Sequence, residues 1–342
     1  MPVIGHCAPA SRGHGEWPNA AGRRSERKSG LFRAPYKRPA LHFFNSHCEQ
    51  VLGRFGLADL HIQERADSCV LDEGGAVVEL SDGQRVVAEN LVLAIGAGAS
   101  LNWPSWASRD TEGVFHIFEP EFDGWPIGPE RVVVIGGGIS ACQVALRLVD
   151  EGHDVCLVSR HALRKHQFDS EPGWLGPKYM AGFSRVKDLG RRRALINEAR
   201  HRGSVPPGVH RSIRNAVRHG RLQWHQGVVD ELSAALDGVM LMLVDGREIA
   251  ADRVLLATGF ASNRPGGRMI DRLIRSAQLP CAPCGYPVVD SELRWHPRVY
   301  VSGPLAELEL GPVSRNIAGA RRAADRMVTS VVRQYSSGRK AS

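Results

Sequence analysis

No run of these 342 residues is apolar and long enough to cross a bilayer as a helix, which needs about 20 residues. The N-terminus has no apolar core of a secretory signal. Aromatic side chains are few, and the seven cysteines (7, 48, 69, 142, 156, 281 and 284) are odd in number and scattered. That set does not read as a disulfide framework. It suits small buried hydrophobes in a reducing compartment, so the expected location is cytoplasmic, with no membrane partner. Among the 14 histidines none falls into a metal-ligand spacing, and the one Cys-x-x-Cys has no second pair to complete a zinc site, so no metal is expected. A basic surface for nucleic acid is also missing. The first 40 residues hold eight Lys/Arg against Glu16 and Glu26, which accounts for +6 of the formal +8. The remaining chain is nearly neutral, and no helix carries a basic stripe with interleaved aromatics, so nucleic acid is excluded as a partner. The leader itself, rich in Gly, Pro, Ser and Arg, reads as poorly ordered.

Against these absences one stretch stands out, Arg131 to Arg160. Val132, Val133, Val134 and Ile135 form a β-branched run that stops at Gly136-Gly137-Gly138. Apolar residues then recur at helical spacing (Ile139, Val144, Ala145, Leu148, Val149), and a second apolar strand covers Val155 to Val158. Strand, glycine turn, helix and strand within about thirty residues is the dinucleotide-binding βαβ pattern. Gly136 permits the tight turn, Gly138 lets backbone approach a pyrophosphate, and small Ala141 lets helix and strand pack closely. Ile139 and Ser140 open the helix whose N–H groups would hold the phosphates. A second absence then decides the nucleotide. An NAD site places Asp or Glu at the tip of the second strand to bind the ribose 2′-OH, and this chain has Ser159, Arg160 and His161. An arginine beside a serine hydroxyl suits a 2′-phosphate, with Arg164 and Lys165 adding charge, so the spacing predicts NADPH.

The segment GAVVELSDGQRVVAENLVLAIG (75–96) returns as GVMLMLVDGREIAADRVLLATG (238–259). Asp82-Gly83 matches Asp245-Gly246, Ala88 matches Ala251, Glu89 matches Asp252 and Gly96 matches Gly259, every pair offset by 163 without a gap. The chain therefore contains two related units, each ending in a meander and a strand that stops at glycine. The fingerprint glycines of the second unit have no counterpart in the first. Neither Ile4-Gly5 nor Arg12-Gly13-His14-Gly15 follows a buried strand or precedes a helix.

Between and around these units the pattern predicts a helix over Leu41 to Phe55, with an apolar stripe of Leu41, Phe44, Cys48, Val51 and Leu52. Short strands are expected near His61–Gln63 and Cys69–Leu71, and an ordered, aromatic-packed linker over Ala99–Pro129. A functional loop is expected over His161–Phe183, and basic solvent-facing helices over Arg191–Arg202 and Val209–His219. Leu222 to His225 is expected to start the second meander. A strand Val299–Ser302 then ends at Gly303-Pro304, and Gly311-Pro312 leads into a helix near Val313.

Four motifs, VVVIGGGISA (132–141), LVLAIGAGASLNWP (91–104), VLLATGFASN (254–263) and VYVSGPLAELELGP (299–312), resemble those of flavoproteins with two dinucleotide-binding domains. Within these the chain is most similar to flavin-dependent N-hydroxylating monooxygenases and thioredoxin-reductase-like proteins. The resemblance covers about residues 40–335. It implies an α/β fold: a Rossmann-like NAD(P)-binding domain with a β-meander, inserted in a truncated FAD-binding Rossmann-like domain. The corresponding boundaries are a disordered leader over 1–40, the first half of the FAD-type domain over 41–128 and the NADPH domain over 129–262. The FAD-type domain resumes over 263–335, and 336–342 is a tail. It further implies that Gly96, Thr258 and Gly259, with Asn263, close the dinucleotide domains, and that Gly303, Pro304, Leu310, Gly311, Pro312 and Asn316 contact FAD. Two departures accompany it. The N-terminal FAD fingerprint is missing, and Pro304 stands where many members carry an acid.

The leading functional expectation is an FAD- and NADPH-dependent, monooxygenase-like oxidoreductase in which hydride passes from NADPH to flavin. Its substrate is a small molecule, an amine by resemblance, and homo-oligomers are compatible with it. No side chain is assigned as a catalytic acid or nucleophile. His166, Gln167, Asp169, Trp174 and Lys178 are the candidates for lining the nicotinamide or substrate. Two alternatives stay open: an incomplete or non-enzymatic NADPH-binding protein that has lost FAD, and a dithiol reductase acting through Cys281 and Cys284. Ser204 and Ser302 show no ordered His/Asp partners.

Overall fold

The computed structural model describes residues 31–33, 38–235 and 237–338. Most of the expected leader and tail, Cys7 included, lies outside these. Within the leader, Phe32–Arg33 pairs antiparallel with Arg38–Pro39, and at the other end the last helix, Ile317–Gly338, runs into the expected tail. The chain divides into two compact units, Met1–Ser68 with Val77–Val87, and Cys69–Ala76 with Ala88–Ser342.

The first unit carries the helix Leu41–Arg54, as the periodicity predicts, but none of its residues is buried and Leu41 is 62% exposed. The expected strand at 61–63 does not form; the 3-10 turn Ala58–Leu60 precedes an irregular segment there. Strands Ala66–Leu71, Ala76–Leu80 and Arg85–Ala88 form one three-stranded sheet. The Asp82 carboxylate accepts the Gln84 N–H at 2.9 Å inside the turn, as an Asx turn should.

The second unit is built on a five-stranded, wholly parallel sheet in the order Gln223–Gln226, Asp154–Ser159, Arg131–Ile135, Arg253–Leu256, Val114–His116. Two of these strands differ from expectation. Val114–His116 lies within the stretch read as a linker, and Gln223–Gln226 joins this sheet instead of starting the meander. Val114–His116 is only three residues long, and Gln223–Gln226 is a polar edge strand with no buried residue, so neither shows a readable apolar pattern.

Alternation along Arg131–Ile135 sorts the core into two layers. Val132 and Val134 face the helices Ile139–Asp150 and Pro207–Arg218, where Ala145, Leu148, Ile213 and Ala216 are buried. Val133 and Ile135 face the antiparallel meander Val229–Ala235, Gly238–Leu243, Glu248–Ala251 through Val239, Leu241 and Leu243. Each such valine or leucine contributes about 1.5–3 kcal/mol by leaving water.

The repeat is visible in backbone detail. Gly83 and Gly246 adopt φ of 85° and 84°, and Gly96 and Gly259 adopt 63° and 75°. A β-carbon on Gly75 would lie 2.4 Å from the Ala88 carbonyl oxygen, and one on its counterpart Gly238 would lie 2.2 Å from that of Ala251. One difference separates the two copies. Strand Arg253–Leu256 is flanked by the fingerprint strand and by Val114–His116. Its counterpart Leu91–Leu93 shares a sheet only with Val299–Val301 and Arg294–His296 among the described residues, pairing in parallel with the former.

Where chain enters and leaves the central sheet, the two connections are stitched together. Asn102 N–H donates to Gly259 O (2.9 Å), Ala261 N–H donates to Ser100 O (2.8 Å), and Leu101 bridges Phe260.

Candidate functional site

The glycine turn forms an open cradle. Gly136 adopts φ +149°, and its N–H donates to Val158 O at 2.9 Å, which ties the turn to the second strand. A β-carbon there would meet Ala257 O at 2.5 Å and the Ala141 methyl at 3.1 Å, so the tight strand–helix approach requires both small residues. At Gly137 a β-carbon would press on His161 Cε1 (3.2 Å) and Ser159 Cβ (3.3 Å), whereas at Gly138 it would make only ordinary contact with Gly203 Cα (3.4 Å). Gly137, Gly138, Ile139 and Ser140 are partly or fully exposed, whereas Ala141 is buried, as a phosphate cradle on a packed helix requires.

The tip of the second strand splits the predicted trio. Arg160 is exposed and makes no ion pair among the described residues. Ser159 is 1% exposed, and its hydroxyl is committed: it donates to His161 O (2.9 Å) and accepts from Trp224 Nε1 (2.9 Å). The expectation that this serine meets a 2′-phosphate is therefore corrected. Its only donor is already spent on the His161 carbonyl. His161 is half-buried, its Nδ1 2.9 Å from Ala162 O, and its ring lies beside Gly137 and Gly203.

At the end of strand Arg253–Leu256, Thr258 Oγ1 donates to Asn102 O (2.5 Å) and sits 3.2 Å from His116 Nε2. His116 Nδ1 accepts the Phe118 N–H at 3.3 Å. This imidazole is fully buried; burial pushes its pKa down to about 4, partly offset by the Gly259 backbone and aided by the Arg109 charge. Thr258 thus serves a structural junction.

The stretch expected as a loop over 161–183 is largely ordered: Arg164–Lys165 pairs in parallel with Ser204–Val205, and a 3-10 turn Pro172–Leu175 leads into helix Pro177–Arg185. The five substrate candidates do not converge. His166 stacks on His201 with ring centroids 3.9 Å apart, and Asp169 pairs with Arg200 at 2.8 Å. Trp174 is buried against Tyr179 and Phe183, Lys178 lies over the Tyr179 ring, and Gln167 is half-buried. Ligand atoms of His166, Glu171 and His201 all fall within 4.8 Å, a grouping that linear spacing hid, and His201 Nε2 lies 3.4 Å from Glu171 Oε1.

A pocket of about 400 Å³ opens elsewhere, between helix Leu189–Ala199, Arg202, Ser262–Asn263 and the Cys284–Tyr286 turn. Arg193 enters it from the helix, stacked 3.8 Å from the Tyr286 ring centroid, and is paired with Glu307, which is 1% exposed. Arg315 holds the same carboxylate through Nε at 2.7 Å and donates to Tyr286 Oη at 3.1 Å. Burial alone would raise the Glu307 pKa; the two guanidiniums outweigh it and hold the carboxyl below its ordinary value. Beside it, Arg192 donates to Leu308 O (2.9 Å) and pairs with Glu309 (2.7 Å). The reading of 191–202 as a solvated basic face is corrected here. Arg192 and Arg193 turn inward because Glu307 and Glu309, set among buried leucines, must find partners. Those acids inside LAELEL were the available signal.

The C-terminal motif also departs from expectation. Gly311-Pro312 opens a 3-10 turn, Pro312–Arg315, and the helix starts only at Ile317, where Asn316 Oδ1 caps it by accepting Gly319 N–H (3.0 Å). Pro304, Leu310, Gly311 and Pro312 are buried, Gly311 against the Met180 sulfur, while Gly303 (φ +61°) and Gly96 are half-exposed at their strand ends. Cys281 and Cys284 are both exposed free thiols on one turn, and burial with the neighbouring thiol pushes Cys281 up despite Arg264, which disfavours a reactive thiolate. Cys69, Cys142 and Cys156 are buried, as expected of small hydrophobes.

Residues 44–196 match the family model described as pyridine nucleotide-disulphide oxidoreductase. A ferredoxin–NADP reductase of Thermus thermophilus is 24% identical over 189 residues, 52% of this chain and 48% of that protein. A probable indole-3-pyruvate monooxygenase of Arabidopsis thaliana is 25% identical over 199 residues, 51% of this chain and 44% of that one. The chain spans about half the length of these curated relatives. In fold it is similar to the ornithine N-hydroxylase of Kutzneria (TM-score 0.73, 18% identity, 92% of this chain and 81% of that one). It is also similar to L-lysine 6-monooxygenase of Pseudomonas syringae (TM-score 0.65, 20% identity, 92% and 80%). In fold the chain is thus similar to these flavin-dependent enzymes, and its residues 44–196 match the pyridine nucleotide-disulphide oxidoreductase model.

Proposed function

We propose that the protein binds NADPH in the Gly136–Ala141 cradle and acts as a flavin-dependent, monooxygenase-like oxidoreductase. One observation carries the reading: a sterically enforced glycine turn ends beside an unpaired arginine, Arg160, with no carboxylate at the strand tip. Backbone N–H groups of the turn and helix start receive the pyrophosphate, and Arg160 meets the 2′-phosphate. His161, over Gly137 and Gly203, borders the same groove. When bound, the nicotinamide supplies a hydride.

The acceptor is expected to be FAD, as in the Kutzneria structure with reduced FAD, NADP+ and L-ornithine. This chain's residues fit FAD less well than NADPH. The described residues hold no second glycine cradle beside strand Leu91–Leu93, and Pro304, Leu310 and Pro312 are buried. The same observation supports a second reading, an NADPH-binding protein without its own flavin. Both are tested by titrating purified protein with NADPH and NADH, then desalting it after incubation with FAD. Tenfold or greater preference for NADPH supports the cradle assignment, and equal affinity overturns it. A retained flavin absorbance band selects the enzyme; a colourless protein that still binds NADPH selects the second reading.

A further inference from the structure

We propose that His166, Glu171 and His201 form a binding site for a zinc-type divalent cation, using none of the residues of the dinucleotide cradle. The two histidines come from arms that the fold lays side by side. Arg164–Lys165 pairs with Ser204–Val205, and the His166 N–H extends that pairing by donating to Val205 O at 3.2 Å. Further along, Ser170 bridges Arg200, and the His201 N–H donates to Asp169 O at 2.6 Å. The backbone therefore brings both imidazoles to one small patch before any ion arrives. Glu171, which opens the turn Pro172–Leu175, adds a carboxylate.

The spacing already approaches coordination. Bonds of about 2.0–2.2 Å set neighbouring ligand atoms of a tetrahedral zinc about 3.3–3.6 Å apart, and His201 Nε2 stands 3.4 Å from Glu171 Oε1. That nitrogen is buried and has no hydrogen-bond partner, and an unmade bond on a buried polar atom is costly. The third ligand is close but not aligned. His166 stacks on His201 with the rings 9° from parallel, whereas lone pairs that share an ion must converge. Binding therefore requires His166 to turn about its side-chain bonds. It is exposed, and its ring makes no hydrogen bond or ion pair among the described residues. The adjacent arginines are engaged elsewhere, Arg200 with Asp169 (2.8 Å) and Arg202 with Asn197 Oδ1 (3.3 Å). Two imidazoles and one carboxylate suit zinc, cobalt or nickel over magnesium or calcium, and leave one position for water. An ion held there would clasp the 164–171 arm to the 200–205 arm. The inference stands on this cluster alone and does not depend on the NADPH reading.

The test is equilibrium dialysis of the untagged, nucleotide-free full chain against Zn2+, with Mg2+ as control and Co2+ as a spectroscopic probe. One Zn2+ per chain is expected, weakened about tenfold or more by His166→Ala, His201→Ala and Glu171→Gln, with no Mg2+ retained. Bound Co2+ should show visible d–d absorption without the sulfur-to-metal charge-transfer band that Cys281 and Cys284 would give. His166 is exposed, so His166→Ala should match the parent by circular dichroism and carries the test if His201→Ala does not fold. Absence of saturable Zn2+ binding overturns the proposal and leaves His201 and Glu171 as an ion pair only. Binding unchanged in His166→Ala and Glu171→Gln also overturns it. So does loss of the ion when Cys281 and Cys284 are both replaced by Ser, because the thiols would then be its ligands.

Discussion

The carbonyl oxygen of Ala257 lies 2.5 Å from the point where a β-carbon on Gly136 would stand. Backbone cannot give way as a side chain can, and φ of +149° adds strain for any L residue. Gly136→Ala should therefore cost about 2–3 kcal/mol of stability and at least tenfold in NADPH affinity. Urea unfolding with nucleotide titration checks both. A variant with unaltered stability would contradict the close approach.

Arg160 is predicted to choose between nucleotides. Arg160→Glu should weaken NADPH at least tenfold while leaving NADH within about threefold, since only the 2′-phosphate is lost as a partner. Nucleotide fluorescence titration reads the ratio directly. Equal losses for both nucleotides would place Arg160 at a shared part of the cofactor.

Glu307 joins two guanidiniums at 1% exposure. Glu307→Gln removes the charge both were folded around and should destabilise by about 3–5 kcal/mol, the cost of breaking a buried pair. Because its folded pKa is depressed, the contribution is complete above the ordinary carboxylate range. It is lost as pH falls through the lower folded value. Denaturant midpoints for the parent and Glu307→Gln should thus converge in strong acid.

His116 makes a separate acid dependence. Its neutral ring accepts from Phe118 N–H, and a second ring proton would face that donor. With a folded pKa of about 4, the unfolded chain takes up a proton first as pH drops below about 6.5. Stability should fall by roughly 3 kcal/mol between pH 6.5 and 4 and change little above that window. His116→Gln should flatten this slope, as urea titrations at pH 7 and 5 would reveal.

How much of this was legible depends on whether a residue's partner is local. The strand–turn–helix at Arg131–Asp150 and the 163-residue repeat were readable because each residue's role depends on neighbours within one supersecondary unit. Gly75 and Gly238 meet the carbonyls of Ala88 and Ala251 thirteen residues on, a distance that a meander pattern encodes. Ser159 was misjudged because its partner Trp224 lies 65 positions away. Arg193 and Glu307, 114 apart, were missed for the same reason, as was the register that puts Val114–His116 beside Arg253–Leu256. Charge alone could not say which arginines of a basic helix face inward.

The stitch between 100–102 and 259–261 bears on the order in which the chain folds. Strand Leu91–Leu93 must find Val299–Val301 across about 206 residues, an unfavourable closure for an open chain. Once Ser100 and Asn102 are clasped to Ala261 and Gly259, the effective loop shrinks to about 45 residues, which lowers the closure cost by roughly 1.3 kcal/mol. Pairing of the outer strands is therefore predicted to follow formation of the central sheet, which pulsed hydrogen-exchange labelling during refolding would show as later protection of Leu91–Leu93.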